Sequence, residues 1–137
     1  MGCENLVLTD FPPKLKVMPQ SVFSNCPKVS FTELPSGVEY DVSACSSMTG
    51  LTHIKMPDDW THIPDSCFSG CSNLVSVEFP PNLTRLGGWC FSLCQKLALK
   101  ELPETLIEIP ERAFWQTPAL EISKIPASVQ TIGKWAF

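Results

Sequence analysis

The hydrophobic positions of this chain fall into columns. Leu6, Val29, Leu51, Leu74, Leu97 and Leu120 form one, and Phe11, Leu34, Met56, Phe79, Leu102 and Ile125 form a second. Each member of the second stands directly before a proline: Pro12, Pro35, Pro57, Pro80, Pro103 and Pro126, at intervals of 23, 22, 23, 23 and 23 residues. Three residues after the proline come Leu15, Val38, Trp60, Leu83, Leu106 and Val129. Six after it come Met18, Ile63, Leu86, Ile109 and Ile132, with Tyr40 one place early in the short repeat. Phe23, Phe68, Phe91, Phe114 and Phe137 keep the same ruler, and Cys45 stands in the gap that the short interval leaves. Self-similarity at such a period is the signature of a repeat solenoid, in which each unit covers the apolar face of the last.

One unit offers five or six apolar side chains, worth roughly 1.5 to 3 kcal/mol each when buried. Ordering costs about 1.5 kcal/mol for every residue of the unit, so no unit folds alone and stacking is what makes the array stable. The compact apolar segment ending at each proline predicts a short parallel strand, because proline cannot donate to a continuing ladder. A second short extended or irregular piece follows. The segment around Ala-Phe-x-x-Cys predicts a short helical turn on the outer side, with Asp65 or Glu111 near its positive N-terminal end. Four repeats place their middle strand residue one position early, at Leu8, Phe31, Leu99 and Ile122 against Ile54 and Val77. The pattern leaves open which of these point inward.

The consensus reads F-x-x-C-x-x-L-x-x-I-x-L-P-x-x-L-x-x-I-x-x-A-F, and its Leu-x-x-Leu-x-Leu spacing in a unit of 20 to 29 residues signals leucine-rich repeats. From about Leu6 to Phe137 the chain resembles one branch of them, the BspA-like leucine-rich repeats of bacterial surface proteins and expanded protist families. The resemblance is densest over Ile63 to Leu86, IPDSCFSGCSNLVSVEFPPNLTRL, and returns in SVQTIGKWAF. It implies a repeat solenoid, a leucine-rich-repeat horseshoe or right-handed coil. Short parallel strands would line one face, with short helical turns or irregular segments on the other. Residues 1–137 are then a single domain of about six repeats.

Composition changes this picture little. With 44% hydrophobic residues the chain suits one elongated domain, and most of its 13 prolines are accounted for by repeat phase. No apolar run approaches the 18 residues of a membrane span. The start MGCENLVLTD lacks a basic region before an apolar core, so it does not read as a secretory signal. Gly2 and Cys3 invite a lipidation reading, but Leu6 occupies the place where that motif wants Ser or Thr. An intracellular location, in cytoplasm or organelle, is expected if Met1 is native, and the cell surface or exterior if the chain is a fragment. The net charge of −4 and the dispersed Lys and Arg exclude the concentrated basic stripe of a nucleic-acid binder.

Candidate chemistry is sparse. Cys67-x-x-x-Cys71 and Cys90-x-x-x-Cys94 imitate metal spacing, yet they are two repeat phases sampled twice, and Cys26 shares the phase of Cys71 and Cys94. A buried cysteine ladder explains them, since free cysteine packs as a small hydrophobe. His53 and His62 belong to no nucleophile, metalloprotease or phosphate-loop motif. With Asp58, Asp59 and Asp65 they suggest a metal site after Pro57, against the simpler reading of a solvated acidic turn. Gly87-Gly88 reads as a turn replacing the single Gly133 of the last unit. Trp89 and Trp135 share one outer phase, and Trp115 follows Phe114; they are either a contact surface or packing beneath the turns.

No catalytic, cofactor or metal residues emerge, and the chain reads as no enzyme. The expected function is a non-catalytic protein-binding or assembly scaffold, a small subunit of a larger complex; the competing reading is a surface adhesin or host-contact fragment. Solenoids of this kind bind on the strand-lined face, whose outward residues are Thr32, Glu33, Thr52, His53, Lys55, Ser76, Glu78, Lys100, Glu101, Glu121 and Lys124. Six five-residue strands at about 4.8 Å spacing project a patch on the order of 400 Å², half of what one side of a stable interface needs. Because terminal repeats need capping, Ile132, Trp135 and Phe137 are expected to form an open C-terminal end, covered by further repeats or by another subunit.

Overall fold

The hydrogen-bonding groups of six similar segments decide how the coil closes. A computed structural model describes residues 2–137. Each repeat makes one turn with three sides: the segment before the proline, the segment after it, and an outer arm around the Phe position. Among the described residues all strand pairing is between neighbouring turns and parallel, in three two-stranded sheets.

The strands are not where the sequence places them. After the prolines, β1 (Val17–Met18) pairs with β2 (Glu39–Tyr40). On the same side, single bridges link His62 to Arg85 and Arg85 to Glu108. Before the prolines, regular strands form in two repeats only, β3 (His53–Lys55) and β4 (Ser76–Glu78), in the register His53↔Ser76, Ile54↔Val77 and Lys55↔Glu78. The post-proline side resumes with β5 (Glu108–Ile109) and β6 (Thr131–Ile132). The expected six-strand pre-proline face is therefore corrected to two strands and isolated bridges, while the piece expected to be merely extended carries most of the strands.

The cause lies in the one-position shift. In β3 the chain alternates His53 out, Ile54 in and Lys55 out, the period of a half-buried strand. Elsewhere Phe31 and Leu99 are buried in the earlier position, and Leu8 and Ile122 pack partly against the core. Those repeats must bury residues three apart, such as Phe31 with Leu34, and a strand cannot put both on one face.

The outer arm has no helix. At every second residue the N–H crosses to the next turn: Ser66 to the Gly88 carbonyl (2.8 Å), Phe68 to Cys90 (2.9 Å), Gly70 to Ser92 (2.8 Å), and likewise Trp89 to Glu111, Phe91 to Ala113 and Leu93 to Trp115. Intervening N–H groups close tight turns within the repeat, as Ser69 to Ser66 and Cys71 to Phe68. A helix would consume every N–H internally, so the ladder replaces the expected helical turn. Its geometry demands positive φ two residues before and after the Phe position, at Ser43 and Ser47, Ser66 and Gly70, Trp89 and Leu93, and Arg112 and Gln116. Each non-glycine there costs about 1–2 kcal/mol, offset by the cross-turn bonds. Asp65, expected at a helix end, instead accepts the Gly88 N–H at 2.8 Å.

Side chains fill the coil in columns. Phe68, Phe91, Phe114 and Phe137 stack with centroids 5.6, 5.6 and 5.7 Å apart and planes within 9° of parallel. The stack stops at Cys45. Beyond it Phe11, Phe23 and Phe31 form a separate aromatic cluster, and Tyr40 meets Trp60 edge-to-face at 5.0 Å. Cys26, Cys45, Cys67, Cys71, Cys90 and Cys94 are buried and unbridged, as a cysteine ladder in the core requires; Cys3 is exposed. Among the described residues no helix is long and apolar enough to cross a membrane.

Candidate functional site

Three surfaces carry chemistry, one for each side of the coil, and a fourth lies at the last turn. On the pre-proline face all eleven residues read as outward lie at the surface, with His53 and Lys55 half-buried. The parallel register brings His53 between Ser76 and Glu78: its Nδ1 lies 2.7 Å from Ser76 Oγ and its Nε2 3.0 Å from Glu78 Oε1. A hydroxyl, an imidazole and a carboxylate in line resemble a proton relay. Here the chain runs over an open strand surface with Glu78 60% exposed, so what it does is order three side chains.

Lys55 Nζ donates to Glu33 Oε1 at 3.2 Å and lies 4.0 Å from Asp58, which together hold its pKa above the usual lysine value, the Glu33 hydrogen bond contributing most. Further along, Lys100 stands 3.9 Å from Glu121, and Lys124 donates to Glu104 at 3.3 Å. The partners are open to water, so these pairs order the surface and add little to stability. Thr32, Thr52 and Glu101 take part in no such pairing. The second half of this face lacks regular strand, yet Ala98 N–H to Val75 and Glu121 N–H to Leu99 keep the turns in step.

The corner between the post-proline strands and the outer arm is an open groove of about 810 Å³, bordered by Tyr40, Asp41, His62, Asp65, Arg85 and Glu108. Burial, then the thiols of Cys45 and Cys67 and the carboxylate of Asp59, push the Tyr40 hydroxyl well above the normal tyrosine range, and it donates to the Pro35 carbonyl at 2.9 Å. The acidic residues read as a metal cluster are spoken for separately. Asp59 accepts from the Gly37 N–H (3.1 Å), Asp65 from Gly88, and Asp58 faces Lys55. Among the described residues no group of three His, Cys, Asp or Glu is arranged to hold a metal ion.

The cysteines serve the backbone. Cys71 Sγ donates to the Cys45 carbonyl at 3.2 Å and Cys94 Sγ to that of Phe68 at 3.1 Å. Thr117 Oγ1, in the same column, donates to the Phe91 carbonyl at 2.9 Å. Burial pushes the Cys71 thiol up to about 12 and drives those of Cys90 and Cys94 upward as well. Cys45 is raised too, first by its hydrogen bond with Cys67.

On the outer arm the positive-φ column reads Ser21, Ser43, Ser66, Trp89, Arg112 and Trp135. The tryptophans of this column are not packed beneath the turns: Trp89 is 36% and Trp135 51% exposed. The Arg112 guanidinium lies between them, 4.4 Å from the Trp89 ring centroid and 4.1 Å from that of Trp135. Lys134 Nζ sits 3.9 Å from the Trp135 ring, and Trp115 meets Trp89 edge-to-face at 5.7 Å. Sequence reasoning missed Arg112, though the repeat carried the signal, since it stands 23 residues after Trp89 and 23 before Trp135.

At the last turn Ile132 (53%), Trp135 and Phe137 (52%) are exposed. Phe137, Phe114, Leu120, Ile122 and Ile125 line an apolar recess of about 590 Å³ there.

A family pattern described as the BspA type leucine rich repeat region matches in six copies, over residues 1–41 and 39–137. No curated protein matches in sequence. Among solved structures, a leucine-rich repeat protein from Bacteroides ovatus is 24% identical with a TM-score of 0.79, over 94% of this chain and 33% of that one. The leucine-rich repeat protein of T. pallidum is 28% identical with a TM-score of 0.74, over 86% and 56%. A leucine rich cell surface protein from Faecalibacterium prausnitzii is 24% identical with a TM-score of 0.71, over 90% and 31%. The chain thus spans between about a third and just over half of the length of these structures.

Proposed function

Since this chain belongs to the BspA-type leucine-rich repeat family, we propose that it is a non-catalytic scaffold that binds a protein partner, within a larger assembly. The observation that supports this is the stacking itself. Backbone groups are used between turns, so side chains stand in columns at fixed spacing on a rigid coil, offering broad surfaces rather than a closed cleft. The pre-proline face from Glu33 to Lys124 is the first candidate contact, and the apolar recess beside Phe137 is a second. No cofactor is needed for such a role.

A second reading, a surface contact module of a longer protein, is favoured by the fraction of the solved relatives' length that the chain spans and by one of them being described as a cell surface protein. The experiment is lysine crosslinking in the native source, with the mass of the intact protein measured alongside. Crosslinks from Lys55, Lys100 or Lys124 into one recurring protein are the expected result. A protein free of crosslinks and running as a lone monomer would sink the scaffold. Cleavage by protease added outside intact cells would move the conclusion to the surface module.

A further inference from the structure

The outer arm has two halves that share one backbone and differ in chemistry. In its positive-φ column the first three turns carry Ser21, Ser43 and Ser66, and the next three carry Trp89, Arg112 and Trp135. In the serine half the side chains are small and polar, and Ser21 Oγ lies 3.1 Å from Ser46 Oγ of the next turn. The other half places indoles in a left-handed conformation that bulky side chains disfavour, and leaves them in water. Leu93, four residues after Trp89 in the same arm and bonded through its N–H to the Trp115 carbonyl, is also 36% exposed. Neither folding nor solubility gains from that exchange. Trp and Arg are the residues that dominate the buried centres of protein interfaces.

The occupant follows from what the cluster leaves free. The guanidinium of Arg112 lies against both indoles and Lys134 against Trp135. The ring faces that a sugar or a nucleobase would stack on are thus partly taken by cations. Arg112 and Lys134, offset by Glu111 in its ion pair with Arg112, leave a net single positive charge. That strengthens attachment to an anionic membrane only about fivefold, too little without further basic residues around it. A carboxylate-bearing protein segment suits all of it. Its acidic groups meet the ammonium of Lys134 and the guanidinium nitrogens of Arg112 that Glu111 leaves unpaired, and its apolar atoms cover Trp89, Trp135 and Leu93.

We infer that the outer arm of the last three repeats, centred on Trp89, Arg112 and Trp135, is a docking platform for an acidic segment of a protein partner. This rests on the scaffold reading but places the contact on a different side of the coil from the strand face.

The test uses the full chain and a triple variant, Trp89→Ser, Arg112→Ser and Trp135→Ser, whose serines are what the same column holds in the first three turns. A matching melting midpoint confirms that the variant folds. Random dodecapeptides displayed on phage are selected against the unaltered chain, and the recovered sequences are synthesised and titrated calorimetrically. The expected result is peptides rich in Asp and Glu that bind the variant at least tenfold more weakly and weaken with added salt. Selection yielding no acidic peptide, or peptides that bind the variant equally well, would overturn the platform. So would vesicles of phosphatidylcholine and phosphatidylglycerol that bind the chain but not the variant. Partner crosslinks confined to Lys55 and Lys100, with the variant still bound, would overturn the platform and leave the scaffold standing.

Discussion

Thiol and hydroxyl do the same work three residues after the buried aromatic. Cys71, Cys94 and Thr117 each reach back 26 residues to a main-chain carbonyl of the preceding turn. The column is thus defined by a small side chain with a donor, not by cysteine chemistry. Cys94→Thr and Cys94→Val differ only in that donor, and the valine variant is expected to be about 1 kcal/mol the less stable, the net worth of one such bond. Equal urea midpoints for the pair would show that the column is mere packing. The burial of these cysteines was legible in the sequence, because repeat phase explains their spacing without a metal. Their donor role was not, since its partner is backbone. Arg112 was hidden for a related reason: a charged residue in an aromatic column looks like surface noise until the ring faces are seen around it.

At the scale of the element, what could be read depended on whether a pattern is long enough to show. His53-Ile54-Lys55 and Ser76-Val77-Glu78 alternate, and they are the strands that form before the prolines. The two-residue strands after them, such as Glu108–Ile109, have no periodicity to detect and emerge only from pairing with the next turn. The corner that follows is set by close approach. Its column holds Pro64, Gly87, Pro110 and Gly133, and a Cβ on Gly87 would stand 2.5 Å from the backbone of Pro64 and Asp65. Gly88 next to it has only ordinary neighbours, the nearest 3.6 Å away. Gly87→Ala is therefore expected to cost about 2 kcal/mol or more, in the range of overpacked sites, and Gly88→Ala within about 0.5 kcal/mol of nothing. Denaturant midpoints of the two variants decide it, and a tolerant Gly87 would mean that the corner is looser than its geometry.

For the molecule as a whole, the buried thiols make stability a function of pH in a direction that can be worked out. Burial or hydrogen bonding raises Cys45, Cys71, Cys90 and Cys94 above their ordinary value of 9.0, with Cys71 at about 12. Above pH 9 the unfolded chain loses these protons while the folded chain keeps them. The folded state then binds more protons, and stability falls as pH rises. Each thiol contributes about 1 kcal/mol per pH unit over that window, so four together remove roughly 4 kcal/mol per unit. Against a total stability of about 5–15 kcal/mol, the coil is expected to be intact at pH 8 and to unfold between about pH 10 and 12. Because each turn is stabilised by its neighbours, ionising thiols in adjacent turns opens the array from its middle rather than fraying one end. Replacing Cys71 and Cys94 together by threonine, which cannot ionise, halves the expected slope of stability against pH. Urea unfolding followed by circular dichroism from pH 8 to 11 measures both slopes. A flat profile, or the same slope in both chains, would mean that the core admits thiolates and that its cysteines are not sealed by the stacking.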